Sequence, residues 1–477
     1  MKKIVFLALV ALISFPLHAQ NAAGKSTITK ELADAIRDYD IESYVGEGLW
    51  SIENREARKN AKSVDLGNGV VQSPIHMYGL VNSKGQIIIP CMYREISTFS
   101  NGLVKVNKDG KWGFVDTSGN EVIPCKYDDC EKFSNAGLAI VFEKRKKGLI
   151  DKNGEVVVPC IYEEISIGDD GYISVTKYGK MGVIDIKGNE IIPCEYDEAR
   201  FHNGMATVTK DDKTGYADKT GKLVVPCTYR FAGDFHEGLA WVGKLNELGS
   251  LIISGYIDET GTIVIPIKYT DASDFQDGLA VVGNSGQYGY IDKTETVVIP
   301  FKYEDANVFK DGIARVKRDG LVGYIDSKGN EVIPCKYNDD YSIDEFKDGY
   351  AIIKSYNDNA SGLMDKTGKL ITPFTYNSIH AFQDGMAAVY KDRKNGYIDK
   401  TGKEVVPCVY EDAEDFHEGM ARVKKDKKWG FIDKTGKLVI PCVYDSVRDF
   451  NEGLAIVKQN NQYGLIDKTG KCTLTFK

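Results

Sequence analysis

The sequence predicts an all-β protein made of tandem repeats. Each repeat has about 34 residues and three short antiparallel strands, and together they form an open twisted array. Three periods carry that prediction. Glycines recur at Gly79, Gly113, Gly148, Gly182, Gly215, Gly255, Gly289, Gly323, Gly362, Gly396, Gly430 and Gly464, in steps of 33 to 35 residues apart from one of 40 and one of 39. Eleven of the 13 prolines, from Pro90 to Pro441, keep the same register, and each is followed three residues later by a tyrosine, from Tyr93 to Tyr444. The stretch KWGFVDTSGNEVIPCKYDD at 111–129 returns as KWGFIDKTGKLVIPCVYDS at 428–446, two nearly identical copies of one module.

From the start of the chain, residues 1–19 are expected to be a signal peptide. Lys2 and Lys3 precede an apolar run from Ile4 to Phe15 that is too short to span a bilayer, and the small residue Ala19 marks the cleavage point. Export to the periplasm or the cell surface is therefore expected, with mature protein from Gln20. Removing the two lysines takes the formal charge from −8 to −10, which argues against nucleic acid as a partner. No second apolar stretch approaches membrane length, so no transmembrane segment is expected. Residues 20–77 read as a short helix with Ser26 or Thr27 near its cap, a half repeat from Tyr39, and a polar loop between Trp50 and Tyr78. The half repeat YDIESYVGEGLWSI matches the back of a unit such as YEDAEDFHEGMARV, from Tyr410. Residues 78–477 hold eleven whole units and a final half unit, YGLIDKTGKCTLTF.

Within the unit at Trp429, WGFID and KLVIPCVY are β-branched and aromatic and are joined by KTG, which reads as a hairpin. Asp433 suits the first position of a type I turn, and Gly436 the place where φ turns positive. Eleven of twelve units have this Asp; Asn82, in the other, can make the same side-chain bond. In the proline strand Leu438, Ile440, Cys442 and Tyr444 are expected on one face, and Pro441, lacking a donor, puts the strand at a sheet edge. A Gly-x-Ala strand follows, GMARV at 419–423, with Ala two after the Gly in nine of eleven full units. It turns back through tips such as KKDKK into the next Trp-Gly strand. Each sheet is then Gly-x-Ala strand, Trp-Gly strand, proline strand, and YEDAEDFHEG crosses back with Phe416 pinning it to the core. A lone three-stranded unit is marginal, so units must stack. Twelve equivalents exceed the ~4–8 blades usual for a propeller, which favours the open array over a propeller-like ring or two six-unit rings.

The Trp-Gly pair with its Ile-Asp turn, then Pro-x-x-Tyr and Phe-x-x-Gly-x-Ala, resembles the WG repeat family of bacterial exported proteins over residues 78–477. Only Trp112 and Trp429 keep the Trp. The resemblance implies a β-rich repeat array. It brings over no catalytic residue, because the family is defined by a fold signature.

Catalytic and metal chemistry have simpler explanations in the repeat. Eight of the ten cysteines directly follow the repeated proline: Cys91, Cys125, Cys160, Cys194, Cys227, Cys335, Cys408 and Cys442. Ile267, Phe301 and Phe374 take the same slot elsewhere, so it is apolar and the thiols are expected to be buried and free. Cys130 and Cys472 lie outside it. The turn aspartates are too widely spaced for a calcium cage, and His202, His236 and His417 read as turn residues after the crossover Phe. Acid pairs such as Glu411/Asp412, Glu163/Glu164 and Asp128/Asp129 could serve glycoside hydrolysis. Their recurrence in unit after unit makes them a solvated ridge instead. No Cys/His metal spacing, nucleophile elbow or phosphate loop is present. No catalytic residue, metal or cofactor is expected.

Repeat scaffolds recognise partners with positions that the fold leaves free. Before the repeated Gly, Tyr78, Trp112, Tyr288, Trp429 and Tyr463 are aromatic; in the Gly-x-Ala strand, Trp241, Arg315 and Arg422 stand between the Ala and Val slots. Such side chains are common anchors of binding surfaces, though padding between units explains them equally well. Insertions at 244–254 and 338–346 decorate two units. The expected function is an exported, non-enzymatic repeat scaffold that binds a protein or glycan partner through these variable positions. A structural component of a surface assembly is the alternative, and a polysaccharide hydrolase is weaker.

Overall fold

The computed structural model describes residues 39–54, 64–65, 71–72, 76–168 and 170–476. The expected signal peptide and the expected helix before Tyr39 lie outside them. The stretch read as a loop contains one short pairing, Val64–Asp65 with Val71–Gln72.

The repeats form twelve four-stranded antiparallel sheets, called blades here. In blade 2 the order is crossover strand Glu95–Ile96, Gly-x-Ala strand Leu103–Lys108, Trp-Gly strand Lys111–Asp116 and proline strand Glu121–Tyr127. The three strands read from sequence are present in the expected order, with the proline strand at an edge. The fourth comes from the crossover, which is not a free return. Arg94 and Ser97 N–H groups donate to Asn107 and Lys105 carbonyls at 2.8 and 3.0 Å, so the segment runs along the Gly-x-Ala strand. The half repeat at Tyr39–Asn54 completes blade 1 with Tyr78–Asn82 and Ile87–Tyr93, and the last half unit completes blade 12. The two half units therefore do not pair with each other.

The blades stack into one closed ring. Twelve apolar clusters are buried among the described residues, each made from two successive blades. An open row of twelve sheets has eleven interfaces. The twelfth joins Ile456 and Leu465 of blade 12 to Ile41, Trp50, Ile52 and Val81 of blade 1. The ring, an alternative to the open array in the sequence reading, is thus the arrangement adopted. Burying both faces of every blade removes the apolar surface that an open array would leave at its two ends.

The repeated residues build that stack. At seven interfaces the crossover Phe of one blade meets an aromatic residue of the previous blade's Trp-Gly strand. Phe114–Phe133, Tyr256–Phe275, Tyr290–Phe309 and Phe431–Phe450 have centroids 4.8, 4.9, 5.0 and 4.8 Å apart. Such pairs add about 0.5–1.5 kcal/mol beyond their buried area. Four of these residues are Tyr whose hydroxyl donates to a crossover carbonyl of the next blade: Tyr216 to Gly233, Tyr256 to Ser273, Tyr290 to Asn307 and Tyr397 to Glu414, at 2.6, 2.7, 2.8 and 2.6 Å.

The repeated Gly has a steric cause. Gly430 lies under a bulge of the proline strand, where an added Cβ would sit 2.4 Å from the Ile440 carbonyl oxygen. A second register shift, between Phe431 and Ile432, breaks the expected alternation. Ile440 faces the core with Cys442 and Tyr444 half-buried beside it, whereas Leu438 is 43% exposed.

Candidate functional site

The variable slot of the Gly-x-Ala strand points at the next blade. Lys105 Nζ, Ser174 Oγ and Arg422 Nη1 reach the carbonyls of Cys130, Ala199 and Val447, at 2.6, 3.0 and 3.3 Å. Arg422 Nη2 also meets Asp449 at 3.2 Å. Arg315 instead binds Asp305 of its own blade at 2.8 Å and lines a cleft of about 270 Å³ with Tyr324 and Phe346. Trp241 lies half-buried against the cluster between blades 6 and 7.

The aromatic slot also sits at blade boundaries. Trp112, Tyr288, Trp429 and Tyr463 pack half-buried against the clusters of blades 2–3, 7–8, 11–12 and 12–1. Lys105 Nζ stands 3.9 Å from the Trp112 ring centroid, Lys424 Nζ 5.5 Å from that of Trp429, and Lys458 Nζ 4.9 Å from that of Tyr463. Tyr288 donates to Asp271 at 3.0 Å, which together with burial holds its phenol pKa up. Tyr78 stacks on His76, with centroids 6.4 Å apart. The eight sequence-selected residues are thus spread around the ring rather than gathered in one place.

The acid pairs are structural, a role the sequence reading missed. Asp128 accepts Lys111 Nζ from the blade before it at 2.5 Å, and its other oxygen accepts the Lys144 N–H of the blade after it at 2.8 Å. Glu163 repeats this with Lys146 Nζ at 3.1 Å and Gly179 N–H at 2.9 Å. Those hydrogen bonds pull both carboxyls below their ordinary pKa, the Lys111 bond leading at Asp128 and the Gly179 N–H at Glu163. The signal was available: an acid directly after Pro-x-x-Tyr, sixteen or seventeen residues from the tips it joins.

Nine of the described cysteines, from Cys91 to Cys442, are free thiols, and the eight of the proline slot are half-buried rather than buried as expected. The proline-slot residues pack against interblade clusters, Cys442 and Cys160 in the same way as Phe301 and Phe374. Burial pushes the Cys91 and Cys125 thiols up to about 12 and about 11. Among the described residues no group of three or more His, Cys, Asp or Glu is placed to hold a metal ion.

One larger cleft gathers unlike residues from several blades. About 660 Å³ in volume, it is lined by Asn203 of blade 5, by His236, Glu237 and Trp241 of blade 6, by Ser273 to Gln276 of blade 7, and by Val308 of blade 8. His236 lies tilted beside His202, with ring centroids 5.0 Å apart, and its Nε2 is 3.4 Å from Asp274 Oδ2. Burial raises the Asp274 carboxyl pKa, which the two histidines partly offset. Glu237 is held by Lys293 at 3.0 Å and accepts the Gly278 N–H at 3.2 Å.

No curated protein matches the chain. Among solved structures, Hsv2p of Kluyveromyces lactis is 11% identical over 50% of this chain and 92% of its own, with a TM-score of 0.28. BamB of Moraxella catarrhalis is 12% identical over 57% and 94%, with a TM-score of 0.24. The fold assignment rests on this chain's own sheets and clusters. The family described as the WG containing repeat matches eleven consecutive segments, from 78–112 to 429–463. The chain belongs to the WG containing repeat family.

Proposed function

We propose that this protein is an exported, non-enzymatic scaffold that binds a protein or glycan partner through residues varying from blade to blade. One observation carries the reading. The repeated residues are engaged in joining blades, whereas the 660 Å³ cleft is lined, apart from the repeated Phe275, by residues that differ between units, Trp241 and His236 among them. A ring of near-equivalent blades is compatible with a scaffold that does no chemistry. Of the variable aromatic and Arg positions, Trp241 and Arg315 line clefts and are the first choices for partner contact. Trp112 and Trp429 would act chiefly by holding blades together. Export rests on the leader-like residues 1–19, and a mature N terminus at Gln20, read by mass spectrometry, tests it.

The binding test is a glycan array and a protein pull-down with residues 20–477, run beside Trp241→Ala and Arg315→Ala. Capture of a glycan or protein that weakens in either variant, with the β-type circular dichroism kept, supports the reading. Capture of nothing by the parent on either platform overturns it.

A further inference from the structure

We infer that the cleft between blades 5 and 8 is a carbohydrate subsite for an uncharged sugar, with Trp241 as the platform for a pyranose face. This rests on the scaffold reading above and names its ligand class. Two coordinated departures from the repeat place the indole. Across the units the slot of Trp241 holds Lys105, Ile140, Ser174, Thr207, Val281, Arg315, Ile352, Ala388, Arg422 and Ile456, and only blade 6 puts Trp there. Opposite it stands Gly233, where other blades carry side chains such as Ser273, Asn307 and Glu414. A Cβ at Gly233 would lie 2.1 Å from Trp241 Nε1, so the glycine is what lets the ring lie across the crossover strand.

The other lining residues suit hydroxyl groups. Asn203, Gln276 and His236 can each donate and accept, as a sugar hydroxyl does, and Asp274 accepts. Asp274 Oδ1 is buried without a hydrogen-bond partner, and turning the carboxylate toward an incoming hydroxyl gives up only the 3.4 Å contact of its Oδ2 with His236 Nε2. The volume falls in the range of small-ligand pockets, ~300–1,000 Å³. Asp274 and Glu237 make an anionic sugar a poor fit.

A peptide strand is disfavoured because the crossover backbone groups on either side of the indole are already bonded within and between the blades. The Gly233 and Ser273 N–H groups donate to Trp241 and Val281 carbonyls, and those of His236 and Gln276 to Leu239 and Leu279, at 2.9–3.0 Å. The Gly233 and Ser273 carbonyls accept the Tyr216 and Tyr256 hydroxyls. Recognition must therefore go through side chains rather than strand addition.

The test titrates the purified protein by calorimetry with cello-, malto- and chito-oligosaccharides, with polygalacturonate as the anionic probe and a random peptide array alongside. The expected result is binding of at least one uncharged oligosaccharide and none of polygalacturonate. Trp241→Ala should weaken binding about tenfold or more, Trp241→Phe should fall between, and Trp112→Ala should bind as the parent does. Gln276→Ala alters only an exposed side chain and gives a second reading should Trp241→Ala fail to fold; it should weaken binding several-fold. Oligosaccharide binding unchanged in Trp241→Ala and Gln276→Ala overturns this site but leaves the scaffold reading intact. Preferred binding of polygalacturonate, or binding of peptides without any oligosaccharide, overturns the sugar class and likewise spares the scaffold. Binding of none of these probes overturns the carbohydrate subsite, and the pull-down above then decides whether the scaffold reading survives.

Discussion

Tyr44 and Glu452 lie 408 positions apart in the sequence and meet through a 2.6 Å hydrogen bond from the Tyr44 hydroxyl. The same Glu452 oxygen accepts the Gly48 N–H at 3.1 Å, so the first blade is tied to the last by side-chain bonds beside their shared apolar cluster. A ring of repeats needs such a closure at one interface only. Every other interface is also held by the continuous chain.

Removing this tie should loosen the ring measurably. Tyr44→Phe is expected to lower unfolding stability by about 1 kcal/mol, the net worth of one hydrogen bond. Burial and the bond to Glu452 push the Tyr44 phenol up to about 12, above the ordinary value of ~10 that it regains on unfolding. A folded pKa above the unfolded one means the tie stabilises fully below pH ~10 and fades as the pH rises to about 12. Urea unfolding of parent and variant should therefore differ at pH 8 and converge toward pH 12.

Two glycine substitutions should separate two causes. Gly430→Ala drives a Cβ to within 2.4 Å of the Ile440 oxygen and 2.7 Å of the Cys442 nitrogen, both backbone atoms that cannot swing aside. Its cost should reach or exceed the upper end of the ~1–3 kcal/mol typical of overpacking. Gly453→Ala meets no atom within 4 Å and bears only the strain of φ +77°, about 1–2 kcal/mol. Equal losses in thermal unfolding would contradict the steric account.

The thiols should react in two classes. Cys472 is exposed, whereas Cys130 is buried and burial raises its pKa to about 12. The eight proline-slot thiols are half-buried, with pKa values likewise raised. Because the thiolate is the reactive form, an aromatic disulfide reagent at pH 8 should label Cys472 rapidly and the other nine slowly until denaturant is added. Cys442→Ile should fold, since Ile267 fills the equivalent slot.

The turn aspartates predict an acid-sensitive ring. Asp433 Oδ1 accepts the Thr435 hydroxyl and the N–H groups of Thr435 and Lys437 at 2.5, 2.9 and 3.1 Å. The Thr435 hydroxyl bond is the main cause of its lowered pKa. A carboxyl depressed in the fold stabilises above its ordinary pKa, ~4, and that contribution is lost as the pH falls through the folded value. Asp433→Ala should cost about 1 kcal/mol at pH 7. Asp433→Asn should cost less, because Asn82 already accepts the Lys84 and Gln86 N–H groups at 3.0 Å. The Asn variant should also lose less stability than the parent between pH 5 and 3, measured by thermal melts.

Local chemistry was legible in the sequence, and closure was not. The Asp433–Gly436 turn, the edge position of Pro441 and the free thiols follow from one unit's residues, so one unit sufficed to read them. The crossover's pairing was missed because Glu95–Ile96 and its equivalents span two residues in most blades, too short to show a period-2 pattern. Leu438 leaves the face expected to carry Ile440, Cys442 and Tyr444 because a bulge resets alternation without changing composition. Ring closure depends on the angle between blades, which accumulates over twelve interfaces and leaves no mark on a single repeat. The same limit applied to Trp241: its slot was legible, but the cleft exists only where blades 5 to 8 converge.

Single-particle electron microscopy of residues 20–477 tests the central claim most directly. The account predicts one closed ring with twelve radial densities and no gap between first and last. An open arc, a superhelical rod or two smaller rings would contradict it.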